Sequence, residues 1–335
     1  MTTIAASRPA FDQRKLVIFL LDHIIEMCLL ALIILLTFTS HGFLTWANWM
    51  NIFRSNSLKG VISLGMTLAI IAGLIDLSIG STVGLTGVIV ALVCREMVAR
   101  GGNVNVACLI GMGICLAMAA GIGWFYGYFQ HKMGMPPFII TLAGKFALFG
   151  LAGILSGFPI ANQFPDWFNQ GGMGRVGGSN GIPIPAIVLA VTFVIVLFIA
   201  NYTKTGRATY AVGGNPESAR LSGINVGRTK VLIFIIVQAL AVISGFMYSG
   251  QVMSGTYSFG AGWELDVIAA VIVGGTSFNG GAGSVWGTLV GIVFMGVIGN
   301  GMTLLNFDIY TQNVVRAVIL FLAVLLSSYR AKAKA

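Results

Sequence analysis

The chain has 335 residues, of which 57% are hydrophobic and only 9% charged, with a formal net charge of +9. An ordinary soluble chain carries roughly 25% charged residues, so this composition excludes an ordinary soluble globular protein. Glycine supplies 45 residues, but there is no Gly-X-Y period and there are only 8 prolines, which excludes collagen-like and low-complexity disordered architectures.

A polytopic helical membrane protein remains. A bilayer core of ~30 Å takes about 20 apolar residues per helix. Charge-free runs occupy 27–53, 60–75, 77–94, 101–131, 146–165, 176–203, 231–263, 267–307 and 317–329. The run 267–307 would measure roughly 60 Å as one helix and is interrupted by Asn279-Gly280-Gly281-Ala282-Gly283, so it holds two spans. The predicted spans are 16–40, 52–74, 77–99, 104–130, 137–157, 184–202, 229–250, 263–277, 284–305 and 310–328, an all-α protein of about ten transmembrane helices. Arg8, Arg14 and Lys15 precede the first span, Lys204, Arg207, Arg220, Arg228 and Lys230 lie between spans six and seven, and Arg330, Lys332 and Lys334 follow the last. A ten-span count puts all of these on one side, which predicts cytoplasmic N and C termini and accounts for the net charge without a nucleic-acid partner. The apolar stretch after Arg14 is too long for a cleavable signal peptide, so the first span is expected to stay as an anchor.

In chain order, the first informative residue is Asp76, alone between charge-free stretches. An intramembrane carboxylate is costly and marks a functional or helix-packing site. Two roles are open: lining or gating a polar path, or capping the helix that restarts at Leu77 through the backbone N–H groups of residues 78 and 79. Cys28, Cys94, Cys108 and Cys115 have no metal-like spacing and are expected as buried small hydrophobes. Residues 158–183, rich in Gly, Asn and Pro, are expected as a structured outer loop. Residues 203–228 form the cytoplasmic loop. There Asn215 suits an N-cap, Pro216 the first helical position, Glu217 the first turn and Gly223 a stop, predicting a helix over 216–222 that docks on a soluble partner through Ala219 and Leu221 with Arg220 pairing at the rim.

Glu264 and Asp266 open the eighth span, where carboxylates complement the helix dipole; the functional alternative is an acidic rim contacting another protein. Arg316 is expected to snorkel near the outer end of the last span. A weak internal repeat aligns 72–87 with 274–289 when Gly80-Ser81 is set on Gly283-Ser284, placing Asp76 opposite Asn279, each at a helix break. Ser63, Thr67, Ser78, Ser81, Thr276, Ser277 and Asn279 are candidates to line or gate a path for a neutral, polyol-like solute, although Ser and Thr also join helices. There is no GxxxxGK followed by Ser or Thr, no HExxH, no GxSxG and no zinc-like cluster, so no catalytic constellation and no nucleotide site is expected.

Four segments carry a resemblance: GMTLAIIAGLIDLSIGSTVGLTG (65–87), PPFIITLAG (136–144), TGRATYAVGGNPESARLSGINV (205–226) and ELDVIAAVIVGGTSFNGGAGSVWGTLVG (264–291). With them the chain resembles the permease subunits of bacterial ABC monosaccharide importers of the ribose type, along nearly its whole length. The resemblance implies a type II importer fold in the inner membrane, a second permease copy or related permease as partner, and a periplasmic sugar-binding protein docking outside, with Glu264 and Asp266 as candidate contacts. It also implies an ATPase, usually tandem-domain, that supplies ATP and Mg and docks on 213–224: Gly213, Gly214, Asn215, Pro216, Glu217, Ala219, Arg220, Leu221 and Gly223. The departures are Leu74, where the family often has Gly, and Lys145, expected near the inner face of span five. Transport by alternating access, with specificity held by the binding protein, follows from the resemblance. An ion-coupled secondary transporter of a small neutral solute is the alternative, and a sugar-derived signalling molecule such as autoinducer-2 an alternative cargo.

Overall fold

The computed structural model describes residues 23–161 and 164–334, with side chains as far as Leu325. The expected start of the first span at 16, and Arg8, Arg14 and Lys15, lie outside the described residues. Thirteen helices are described: α1 (Ile24–Thr39), α2 (Trp46–Ile71), α3 (Ile79–Ala99), α4 (Val104–Lys132), α5 (Pro137–Ser156), α6 (Asp166–Met173), α7 (Ile184–Tyr202), α8 (Lys204–Gly214), α9 (Pro216–Leu221), α10 (Val226–Val252), α11 (Trp263–Val273), α12 (Val285–Leu304) and α13 (Ile309–Lys334). Six of these, α3, α4, α5, α7, α10 and α12, are long and apolar enough to cross a membrane. Helix α2 is long but carries Arg54 and Lys59, and α11, at 11 residues, rises only about 16 Å.

Helix α10 is the hub, packing on α2, α3, α4 and α6. Between helices in lipid, association rests on dispersion contacts, which small residues permit by letting backbones approach. Side chains at Gly123 and Gly127 of α4 would collide with the α10 backbone at Ile235 and Val231, and one at Gly65 of α2 with Leu240. The main apolar cluster, including Leu64, Leu68, Ile233, Phe234, Val237 and Val271, fills the space between α2, α10 and α11.

Two helices stop and restart. Helix α2 ends with Gly73 at φ +72°, Gly73 N–H donating to the Ile70 carbonyl at 3.0 Å and Leu74 N–H to Ala69 at 2.8 Å. Helix α11 ends in the same way, with Gly275 at φ +88°, its N–H donating to Ile272 at 2.9 Å and Thr276 N–H to Val271 at 3.3 Å. Both are left-handed glycine caps with the 6→1 bond that satisfies an orphan carbonyl. The caps superpose when Gly73 is set on Gly275, one residue away from the register predicted from Gly80 and Gly283. The segment 158–183 holds α6 and the antiparallel pair β2 (Arg175–Val176) with β3 (Ile182–Pro183), while its β1 (Ile160–Ala161) pairs antiparallel with β4 (Ser254–Gly255) further along the chain.

Candidate coupling and translocation site

The 216–222 prediction meets a helix of six residues, α9. The Asn215 side-chain oxygen accepts from the backbone N–H of Glu217 and of Ser218, each at 3.0 Å, and Pro216 takes the first helical position. Such a cap contributes about 1 kcal/mol. Gly223, at φ +83°, closes the helix: its N–H donates to Arg220 and the N–H of Ile224 donates to Ala219, both at 3.0 Å. The element is therefore folded before any partner arrives. Its faces differ from the sequence expectation in one respect. Leu221 is 76% exposed, but Ala219 is only 4% exposed and packs inward with Val212 and Val226. Arg220 is already paired within the helix, bidentate to Glu217 at 2.6 and 3.1 Å, and this guanidinium holds the exposed Glu217 carboxyl below the usual carboxylate range.

Helix α8, just upstream, carries α9 and was not foreseen as a helix. Thr203 caps it by accepting from Gly206 N–H at 3.1 Å. Its C-terminal end meets both helix breaks. A Cβ on Gly213 would overlap the Ile71 carbonyl oxygen, which accepts the N–H of Gly281 at 2.8 Å, and Gly281 in turn lies against Gly214. The Tyr210 hydroxyl donates to the Gly283 carbonyl at 3.0 Å. The last turn of α8, the last carbonyl of α2 and the 279–283 turn thus form one close-packed junction.

Asp76 follows the first break and is 0% exposed. Its Oδ1 accepts from the Ser78 N–H at 2.8 Å and the Ser78 hydroxyl at 2.7 Å, and its Oδ2 accepts from Gln238 Nε2 at 2.7 Å. Gln238 also donates to the Ser78 hydroxyl at 2.9 Å, and its carbonyl accepts from Thr82 at 2.7 Å. This is a saturated knot joining the first break to the middle of α10. Of the two expected capping bonds, the one from residue 78 is made. Gln238 and Thr82 were missed, although Gln238 is an amide inside the charge-free run 231–263.

The other candidates for a polar path are dispersed. Thr67 meets Thr288 at 2.7 Å, joining α2 to α12, and Ser63 bonds the Lys59 carbonyl of its own helix at 2.9 Å. Ser81 is buried in the first turn of α3. Thr276 is buried against Gly283, and its hydroxyl has no hydrogen-bond partner among the described residues. The Ser277 N–H donates to the Ala282 carbonyl at 2.9 Å, while Asn279, the proposed counterpart of Asp76, is exposed.

Glu264 and Asp266 occupy the first turn of α11, as expected, but not as an open acidic rim. Glu264 is 3% exposed and paired with Lys145 at 2.5 Å, while Asp266 pairs with Lys59 and, at 3.7 Å, with Arg316. Lys145 is the ninth residue of the 20-residue α5, so it sits mid-helix rather than near an end. Arg316 faces Asp266 rather than reaching away alone. The cation offsets the desolvation of the buried Glu264 carboxylate, a cost of several kcal/mol for a lone charge, whereas Asp76 is met by neutral donors alone.

The family model for the branched-chain amino acid transport system permease component matches residues 48–324. The ribose import permease protein RbsC of Escherichia coli (strain K12) is 34% identical over 303 residues, 90% of this chain and 92% of that one. Its Bacillus subtilis (strain 168) namesake is 36% identical over 300 residues, 89% and 90% of the two chains. The xylose transport system permease protein XylH of Escherichia coli (strain K12) is 32% identical over 359 aligned positions, 90% of each. No solved structure matches the chain.

Proposed function

Since the chain belongs to the family of ribose-type ABC import permeases, we propose a specific way in which it is driven. It is a permease subunit of a sugar ABC importer, a multi-pass inner-membrane protein that works with a partner ATPase and a periplasmic binding protein. On our reading ten helices cross the bilayer with both termini in the cytoplasm, and a monosaccharide passes between two paired permeases after delivery by the binding protein. A tandem-domain ATPase docks on α9, with Leu221 in its groove and the Glu217–Arg220 pair at the rim. ATP and Mg act on that partner, and this chain binds no nucleotide.

The observation that carries this reading is the junction at Gly213. A preformed helix is the economical docking element, because a rigid surface loses less entropy on binding. Displacing α9 displaces the end of α8, and that end abuts Ile71 at the first break and Gly280-Gly281 at the second. Those breaks are the places where the helices can bend. Residues 76, 78 and 81 on one side and 276, 277 and 279 on the other follow them, and are the segments whose spacing would change between the two access states.

The test is reconstituted uptake with the partner ATPase and binding protein. Leu221→Asp is expected to leave the permease folded and inserted, to abolish copurification of the ATPase and to reduce ATP-driven accumulation to background. Uptake that survives this variant would refute the docking assignment. The ion pairs Lys145–Glu264 and Lys59–Asp266–Arg316 supply ionisable groups of the kind an ion-coupled transporter uses. Uptake that is indifferent to the ATPase and collapses with a protonophore would turn the assignment to that mechanism.

A further inference from the structure

Between α2, α11, α12 and α13 lies a cavity of about 370 Å³, within the roughly 300–1,000 Å³ range of small-molecule pockets. Its lining includes the amides of Asn51, Asn300 and Gln312, one from each of α2, α12 and α13, together with Lys59, Asp266 and Arg316. The charge there does not balance: among the described residues these are the only charged ones in the lining, two cations against one carboxylate, and both cations approach the same oxygen, Asp266 Oδ2. Lys59 is held, since its ammonium bonds that oxygen and also lies 5.6 Å from the centroid of the Trp263 ring. Arg316 is not. Its nearest nitrogen is 3.7 Å from Asp266, and among the described residues its guanidinium makes no hydrogen bond, leaving a planar set of donors facing the space.

We propose that this cavity binds an oxyanion, a carboxylate or phosphate group on a small hydroxylated molecule, received by the Arg316 guanidinium with Lys59 behind it and with the amides taking hydroxyl groups. Guanidinium is suited to the task because its fork matches the two oxygens of a carboxylate or phosphate. An excess of one positive charge over the single shared carboxylate, beside the middle of α2, is costly in a low-dielectric setting, and an anion reduces that cost. Two sources have this chemistry: an acidic sugar derivative in transit, or the headgroup of an anionic phospholipid. The proposal is independent of the docking assignment, since it concerns binding rather than ATP-driven uptake.

The test uses the full chain in nanodiscs of phosphatidylcholine, following the unfolding midpoint during titration with galacturonate and ribose 5-phosphate, with galactose and ribose as neutral counterparts. The acidic probes are expected to raise the midpoint and the neutral ones to leave it unchanged. Arg316→Gln is expected to weaken acid binding by about tenfold or more, the loss of a charged hydrogen bond, Arg316→Lys to retain part of it, and Asp266→Asn to tighten it by removing the competing negative charge. If phosphatidylglycerol in the nanodisc raises the midpoint by itself and suppresses the response to soluble acids, the oxyanion site stands and its occupant is lipid. Equal responses to acidic and neutral probes with no dependence on lipid would overturn the proposal, as would an acid response that Arg316→Gln leaves intact. Should Arg316→Gln not fold, Asp266→Asn decides the matter: tighter acid binding supports the site, and unchanged or weaker binding refutes it.

Discussion

The two helix breaks begin alike and are filled differently. Each opens with a glycine in the left-handed region and the same pair of backbone bonds. After Gly73, however, the chain turns inward, and Asp76 ties it to Gln238 and Ser78 with every carboxylate bond made inside the protein. After Gly275, Asn279 is exposed, and the buried Thr276 hydroxyl has no hydrogen-bond partner among the described residues. A satisfied buried side-chain network has one favoured arrangement, whereas the second break, tied at its backbone to Ile71 and Tyr210, has no such network around Asn279. The first break is therefore expected to be the stiffer hinge and the second the more compliant one, although the sequence makes them look like copies.

The largest effect expected from this contrast is at Asp76. Asp76→Ala strands one N–H of the Gln238 amide, which keeps its bond to Ser78, and the Ser78 backbone N–H in a dry interior, at about 1–3 kcal/mol for each group. A fall of several degrees in the unfolding midpoint of the detergent-purified protein would register it, and an unchanged midpoint would mean that the knot is not what fixes the first break. Gly213→Val comes next. Its side chain would meet the backbone at Ile71 and Gly281, where no rotamer offers relief. The expected result is that the ATPase still copurifies while sugar accumulation is lost, which separates docking from transmission. Wild-type uptake in that variant would sever the two breaks from α8.

Smaller effects belong to α9 and to the second break. Asn215→Ala removes an N-cap worth about 1 kcal/mol, and faster amide exchange over 217–221 is the measurement. The same region has a pH dependence. The folded-state pKa of Glu217 lies below its unfolded value because of Arg220, so its contribution is complete above the ordinary carboxylate range and is lost as pH falls through the lowered folded value. Amide protection of α9 should fall in that acidic window and be flat above it. Asn279→Ala should change stability by no more than about 0.5 kcal/mol, as for an exposed side chain without a special role. A cost approaching that of Asp76→Ala would erase the distinction between the two breaks.

Much of this layout was legible in the sequence where the cause is local. Asn215, Pro216 and Gly223 mark a cap, a first turn and a stop within nine residues, and α9 fits between them. The breaks were marked by Asp76 and by the glycines at 279–283. Helix α8 is hard to see in the sequence because glycines are poor helix formers, whereas here Gly206 and Gly213 serve close approach to Ala200 and Ile71. The partners of the acidic pair were out of reach of pattern reasoning. Glu264 finds Lys145 across 119 positions and Asp266 finds Lys59 across 207, and no periodicity links residues that only tertiary packing brings together. Ala219 was assigned to the wrong face for a similar reason, since a six-residue helix has too few positions to define a stripe.

The carbonyl of Ile71 belongs to the first half of the chain, and the amide it accepts, Gly281, lies 210 positions later. Because one peptide oxygen stitches the two distant segments together, neither can swing without tugging on its counterpart. A push arriving from the nucleotide-hydrolysing companion would then reach both in step, and timing between them would come from geometry rather than from any relay through the bundle.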